Sequence, residues 1–302
     1  MKLGYIGLGK MGKNMVERLL TKKHEVVVWN RSSDVAKDME HLGASATESI
    51  EELVSALPSP RTIWLMLPAG EPTQTMITKL CDLLAPGDTI INGANEYYKN
   101  TLKHYTLAKA KNIHFIDVGV SGGPGGAKQG ACLMIGGSQK TFQTLESLFT
   151  DIAAPNAYQF FEGHGAGHFV KMVHNGIEYG MMQAIGEGFE VLKKSEFDLD
   201  LEKVARIYNH RSVIESRLVG WLHQALIEHG EDLEGISGEV SHSGEGQWTV
   251  ETAKELEVPV PIIEGSLDFR IQSKGNPSFT GQVVSALRHQ FGGHDVKHHH
   301  LR

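Results

Sequence analysis

Lys2-Leu-Gly-Tyr-Ile6, running into Gly7-Leu8-Gly9-Lys10-Met11-Gly12, decides the fold of this chain. A short apolar run stops at a glycine. The spacing G-x-G-x-x-G then opens a stretch with Met11, Met15 and Leu19 at helical spacing. The glycine pattern alone is weak. Between a strand and a helix it reads as a dinucleotide-binding turn. Gly7 permits the tight turn, Gly9 lets backbone approach a pyrophosphate, and Gly12 lets helix and strand pack closely. The anion would rest on the free N–H groups of the helix start. Gly7, Gly9, Lys10, Met11 and Gly12 are therefore the expected cofactor turn.

The end of the next strand reports on the cofactor. An NAD enzyme commonly places Asp or Glu there for the ribose hydroxyls. This chain has Trp29-Asn30-Arg31-Ser32-Ser33. No carboxylate repels a 2′-phosphate, and Arg31 offers a fork of donors to one. Asn30, Arg31 and Ser32 thus favour NADP over NAD. The alternative is that Arg31 stacks on adenine and accepts either.

Outward from this unit, 24–29, 62–67, 89–91 and 113–117 read as buried strands, with helices near 34–42, 72–84 and 99–111 between them. Shorter strands at 132–135 and 159–161 flank a helix near 139–149. Alternating strands and helices predict a doubly wound α/β domain of the Rossmann type. Past residue 163 the strand signals stop. Helical patterns follow near 200–208, 213–228, 249–257, 261–273 and 279–291. We expect a dinucleotide-binding domain over 1–163 and an all-α domain over 164–302, joined at Gly163-His-Gly-Ala-Gly.

The helix that begins the second half is unusual. Lys171, His174, Asn175 and Glu178 fall at i, i+3, i+4 and i+7 and share one face. The remaining surface holds Phe169, Val170, Met172, Val173, Ile177 and Met181, which predicts burial. A buried or cleft-lining Lys and Glu is costly without a role.

The chain has 302 residues, a net charge of −7 and two cysteines. Its scattered basic residues argue against nucleic-acid or membrane binding. Cys81 and Cys132 make no disulfide framework, and the chain opens directly on a strand, so a cytoplasmic protein without a signal peptide is expected. No run is long enough to span a bilayer. His298-His299-His300 reads as a tail rather than a metal site, and no metal is expected.

Three more segments carry a resemblance: Gly119-Val-Ser121-Gly122-Gly123-Pro, Lys171-Met-Val-His174-Asn175-Gly-Ile-Glu178-Tyr179, and Ala286-Leu-Arg288-His-Gln-Phe-Gly-Gly-His294. With the glycine turn and Asn30-Arg31-Ser32, the chain resembles the decarboxylating 6-phosphogluconate dehydrogenases, in their short form. The resemblance implies NAD(P)-dependent oxidative decarboxylation of a small phosphorylated sugar acid. It makes Lys171 the base and Glu178 the acid, with Asn175 and His174 on the substrate. A lysine base needs a lowered pKa and a glutamate acid a raised one, and an apolar surrounding shifts both in those directions. By similarity Asn95 contacts cofactor and substrate, and Ser121, Gly122 and Gly123 form the substrate loop. Tyr179, Arg270, Arg288 and His294 hold the phosphate. The family supplies the last two from a neighbouring subunit, which implies a homo-oligomer with a shared C-terminal tail.

Two departures matter. The family's D-G-G-N-S is here Asn92-Gly-Ala-Asn95-Glu96, which adds a carboxylate beside an anionic substrate unless it turns away. A lysine of the long forms is here Gln247. The competing activity is that of another β-hydroxyacid dehydrogenase, of the 3-hydroxyisobutyrate kind. That relative lacks the His-Asn adjacency, the Glu-Tyr pair and the C-terminal Arg…Phe-Gly-x-His.

Overall fold

The computed structural model describes residues 1–293. His294 and His298-His299-His300 lie outside the described residues. The chain divides into two compact units, Met1–Met172 and Val173 onward.

The first unit alternates β1 (Lys2–Ile6), α1 (Gly12–Thr21), β2 (Glu25–Trp29), α2 (Ser33–Asp38), β3 (Ser45–Ala46), α3 (Ile50–Ser55), β4 (Thr62–Leu65) and α4 (Glu71–Leu83). It continues with β5 (Thr89–Asn92), α5 (Tyr98–Ala110), β6 (His114–Ser121), α6 (Gly123–Gln129), β7 (Ala131–Gly137), α7 (Gln139–Ile152) and β8 (Ala153–Glu162). One sheet takes them in the order β3-β2-β1-β4-β5-β6-β7-β8. Its pairs are parallel except β6 with β7. The order reverses between β1 and β4, and such a reversal opens a ligand crevice at the carboxyl ends of the strands.

Side chains alternate across the sheet and both faces are covered. Leu3, Tyr5, Val28 and Trp64 join one core with Met15 and Phe149. Ile6, Val27, Ile63 and Ile90 join another with Leu53 and Leu80.

Three elements go beyond the sequence expectation. Strand β3 is only two residues long. Helix α3 follows Ser49, whose side chain accepts the Glu52 N–H; Ser-x-x-Glu was its available signal. Helix α6 forms from Gly123-Pro-Gly-Gly-Ala, which reads as loop. Proline is tolerated in a first turn, and Gly126 and Ala127 are buried, so packing overrides the poor propensity.

Helix α8 (Ala166–Lys193) runs from the first unit into the second. The second unit adds α9 (Leu201–Tyr208), α10 (Arg217–His229), α11 (Glu245–Glu255), α12 (Pro261–Gln272) and α13 (Phe279–Gly292) around a core that includes Met182, Phe189, Leu222 and Leu287. Helix α10 starts later than the expected 213, because Ser216 caps it through the Val219 N–H.

Candidate active site

The glycine turn has room where a dinucleotide needs it. Gly7 has φ +99°, and a Cβ there would lie 2.3 Å from the Met66 carbonyl oxygen. A Cβ on Gly12 would lie 2.0 Å from the Gly7 carbonyl oxygen, yet one on Gly9 would meet nothing within 4 Å. The outer glycines are forced by close backbone, and the middle one faces open space. Helix α1 has no acidic residue in its first turn, as an incoming pyrophosphate requires. The residues present therefore fit the cofactor.

Asn30 Oδ1 accepts the Leu8 N–H at 3.0 Å, and its Nδ2 donates to the Ser32 carbonyl at 3.2 Å. Asn30 thus braces the turn from the end of β2. Arg31 and Ser32 beside it are exposed.

Asn95 has φ +50°. Its Oδ1 accepts the Val120 N–H at 2.7 Å and its Nδ2 donates to the Val120 carbonyl at 3.0 Å. This two-point clamp holds the β5 turn to the end of β6, where Ser121 begins the Gly122-Gly123 loop. Glu96 turns inward and is 2 % exposed. The carboxylate feared beside the substrate is used within the fold.

Helix α8 puts Lys171, His174, Asn175 and Glu178 on one face, as the spacing predicts. Lys171 is buried, while the other three are half-buried. His174 Nδ1 lies 2.9 Å from Asn175 Oδ1 and 3.8 Å from Glu178 Oε2. The expected burial of the apolar side is not met. Ile177 is 53 % exposed and Met181 43 %. With Ala184, Gly188 and Val191 they continue an apolar stripe along the helix into a groove of about 640 Å³ lined also by Tyr208, Val213 and Ile214. The reason is that the second unit's own core packs on a different face, through Met182 and Phe189.

Sequence reasoning missed what fixes the start of α8. Asp117, at 0 % exposure on β6, accepts the Gly165 N–H at 2.7 Å and the His168 N–H at 2.9 Å. These are amides that a helix start leaves without partners. His168 Nδ1 meets Thr101 Oγ1 at 2.7 Å, and burial pushes the pKa of His168 down. Glycines allow the approach: a Cβ on Gly119 would lie 2.3 Å from Lys171 Cβ, and one on Gly167 2.4 Å from the Met134 carbonyl oxygen.

In the second unit Tyr179, Arg270 and Arg288 cluster. The Arg270 guanidinium lies 3.4 Å from the Tyr179 ring centroid. Burial pushes the Arg270 guanidinium down to about 10, and lowers Arg288 as well. Arg288 donates to Ser241 Oγ at 2.7 Å. The Tyr179 hydroxyl, one Arg270 nitrogen and His242 Nδ1 are buried with no hydrogen-bond partner. Cations buried together with unsatisfied donors make an anion site. The expectation that Arg288 arrives from another subunit is corrected here. Within one chain it already interacts electrostatically with Tyr179 and Arg270, because α13 packs inside its own unit. Gln247 bonds Glu251 along its own helix at 2.8 Å. Thr249 instead packs α11 on α8, its Cγ2 2.7 Å from where a Gly176 Cβ would be.

Among the described residues, no helix is long and apolar enough to cross a membrane, and no cluster of metal-ligating side chains occurs.

Comparison with known proteins points one way. Residues 2–165 match the family model of the NAD-binding domain of 6-phosphogluconate dehydrogenase, and 167–278 match that of its C-terminal domain. A Bacillus subtilis protein named putative 6-phosphogluconate dehydrogenase is 45% identical over 294 residues, covering 97% of this chain and 98% of the relative. The NAD(+)-dependent, decarboxylating 6-phosphogluconate dehydrogenase of Haloferax volcanii is 39% identical, covering 98% of each. The Plasmodium falciparum 6-phosphogluconate dehydrogenase, solved in apo form, with NADP+ and with 6-phosphogluconate, superposes with a TM-score of 0.82 at 30% identity over 90% of this chain and 62% of its own. The Mycobacterium tuberculosis 3-hydroxyisobutyrate dehydrogenase, with a TM-score of 0.73 at 18% identity over 93% of this chain and 97% of its own, shares the fold.

Proposed function

The chain belongs to the 6-phosphogluconate dehydrogenase family, and from that premise we propose that it converts 6-phospho-D-gluconate to ribulose 5-phosphate and CO₂ while reducing NAD(P)+. The observation that carries this reading is the buried pairing of Arg270 with Tyr179, whose unsatisfied polar atoms suit a phosphate. A 3-hydroxyisobutyrate-like substrate has no phosphate to put there.

When bound, the nicotinamide supplies the hydride acceptor. Lys171 takes the proton of the C3 hydroxyl as hydride leaves C3. The resulting 3-keto acid loses CO₂, its C1–C2 bonding pair passing into the enediol as Lys171 returns its proton to the C3 oxygen. Glu178 then protonates C1. Asn175 and His174 orient the polyol, Asn95 holds the β5 turn, and the Ser121-Gly122-Gly123 loop takes the carboxylate end. Tyr179, Arg270 and Arg288 hold the phosphate, with His294 as a further ligand.

Arg31 and Ser32 favour NADP, although the Haloferax relative is named for NAD+. The exposed stripe of α8 and the groove beside it suit a homo-oligomer. Two free cysteines suit a reducing cytoplasm. We keep the functional domains as 1–163 and 164–302.

The test is an initial-rate comparison of 6-phosphogluconate and 3-hydroxyisobutyrate with each cofactor, with CO₂ release measured. One CO₂ per reduced nucleotide with the phosphorylated acid is expected. Turnover of 3-hydroxyisobutyrate without CO₂ would sink the reading.

A further inference from the structure

Glu96 sits at the carboxyl end of the central sheet with its charge directed into the protein. Its Oε1 accepts the Gly70 N–H at 3.3 Å, and its Oε2 accepts from Asn92 Nδ2 at 3.2 Å. The same Oε2 lies 3.0 Å from His104 Nδ1, with both side chains 1 % exposed. The contact is an ion-pair distance rather than an aligned hydrogen bond, since Nδ1 has no hydrogen-bond partner by geometry. On the far side of the ring, His104 Nε2 meets Gln74 Oε1 at 2.7 Å, while Gln74 Nε2 is turned to Thr78 Oγ1 at 3.3 Å. Two oxygen acceptors use both ring N–H groups, which is the charged form of the imidazole.

What this pair holds is a wall of the dinucleotide crevice. Gly70 ends the β4–α4 loop and has φ +91°, a conformation for glycine. The same loop begins at Met66 and Leu67, the residues against which Gly7 of the glycine turn is pressed. One carboxylate therefore ties together the β4–α4 loop, the end of β5 and, through His104, helices α5 and α4. A buried carboxylate needs such a partner, since a lone one is strongly disfavoured. The charged groups near it are His104 on α5 and His168 on α8, the latter also beside Asp117.

We infer that Glu96 and His104 act as a pair of positioning residues that set the β4–α4 wall of the cofactor site, and that the Glu96 charge takes no part in substrate selection. This deepens the proposed function and rests on it only for the identity of the cofactor.

The test measures dissociation constants of NADP+ and NAD+ by calorimetry for Glu96→Gln, His104→Asn and the double variant. Hydrogen exchange of the 66–71 segment is followed in the same proteins without cofactor. Each single variant should weaken cofactor binding on the order of tenfold, the size of one charge-assisted hydrogen bond lost, and speed exchange of the segment. The double variant should be no worse than the worse single one, because the second change removes a charge already unpaired. It also serves if a single variant does not fold, since it leaves no lone buried charge. KM for 6-phosphogluconate at saturating cofactor should stay within about twofold. Unchanged cofactor affinity and exchange, or additive losses, would overturn the pairing. A several-fold fall in substrate KM on Glu96→Gln would show the carboxylate facing the substrate instead. Loss of the proposed activity assignment would leave the cofactor and exchange results standing.

Discussion

The Arg270 guanidinium lies flat over the Tyr179 ring at 3.4 Å, and both side chains end in a buried polar atom without a hydrogen-bond partner. Stacking fixes the plane of the guanidinium before any ligand arrives, so its donors are already aimed. Lysine cannot stack or fork in this way. Arg270→Lys should therefore raise KM for 6-phosphogluconate roughly 10–100-fold, from the ~1.5–3 kcal/mol of a charge-assisted contact. The dissociation constant for the cofactor should not move. A change in substrate KM below about threefold would remove Arg270 from the phosphate site.

Lys171→Met should abolish turnover and leave cofactor binding intact. Lys171 is buried and packed against Gly119, and methionine keeps the stem while removing the base. General acid–base groups contribute roughly 10²–10⁴-fold. A kcat within tenfold of the parent would exclude Lys171 as the base.

Arg31→Asp should shift preference toward NAD. It removes a phosphate partner and sets a carboxylate against the 2′-phosphate. Arg31 is exposed at the end of β2, so the change should leave Tm nearly unaltered. The check is the ratio of kcat/KM values for NADP+ and NAD+; an unaltered ratio means Arg31 is not the selector.

The open stripe on α8 should close against a second copy. Met181→Glu or Val191→Glu places charge on the exposed apolar face and should shift the chain to monomer in light scattering. Retention of the parent's mass by both variants would place the interface elsewhere.

The glycine turn is legible in sequence because strand and helix flank it, and the α8 stripe because one helical period carries it. The inward turn of Glu96 is not legible. A residue letter does not say which way a carboxylate points, and its partner His104 lies in the next helix with no pattern to mark it. Nor do Gly119 and Gly167 announce that they admit α8 to the sheet, since those contacts join segments distant in the chain. The apolar circumference of α8 suggests burial, but periodicity alone cannot tell a core face from one that waits for a partner. The buried setting of Arg288 beside Arg270 depends on how α13 packs, and only the fold reveals it.

Glu190 gives a pH dependence of stability with a definite sign. It lies toward the end of α8, bonded to Lys194 and to the Thr280 N–H at the start of α13. The Lys194 contact, then Thr280, lowers its carboxyl to about 2. The unfolded value is about 4.3, so between these values the unfolded chain binds more protons than the folded one. The stabilisation is complete above about pH 4.3 and is lost as pH falls toward 2. Its size is modest, because the group is largely open to solvent and is screened. Glu190→Gln should therefore lower Tm at neutral pH, and the gap to the parent should narrow as pH falls from about 5 to about 3. The measurement is a thermal melt across that range at fixed ionic strength. A gap that stays constant would mean that the Glu190 charge contributes nothing to anchoring α13 on α8.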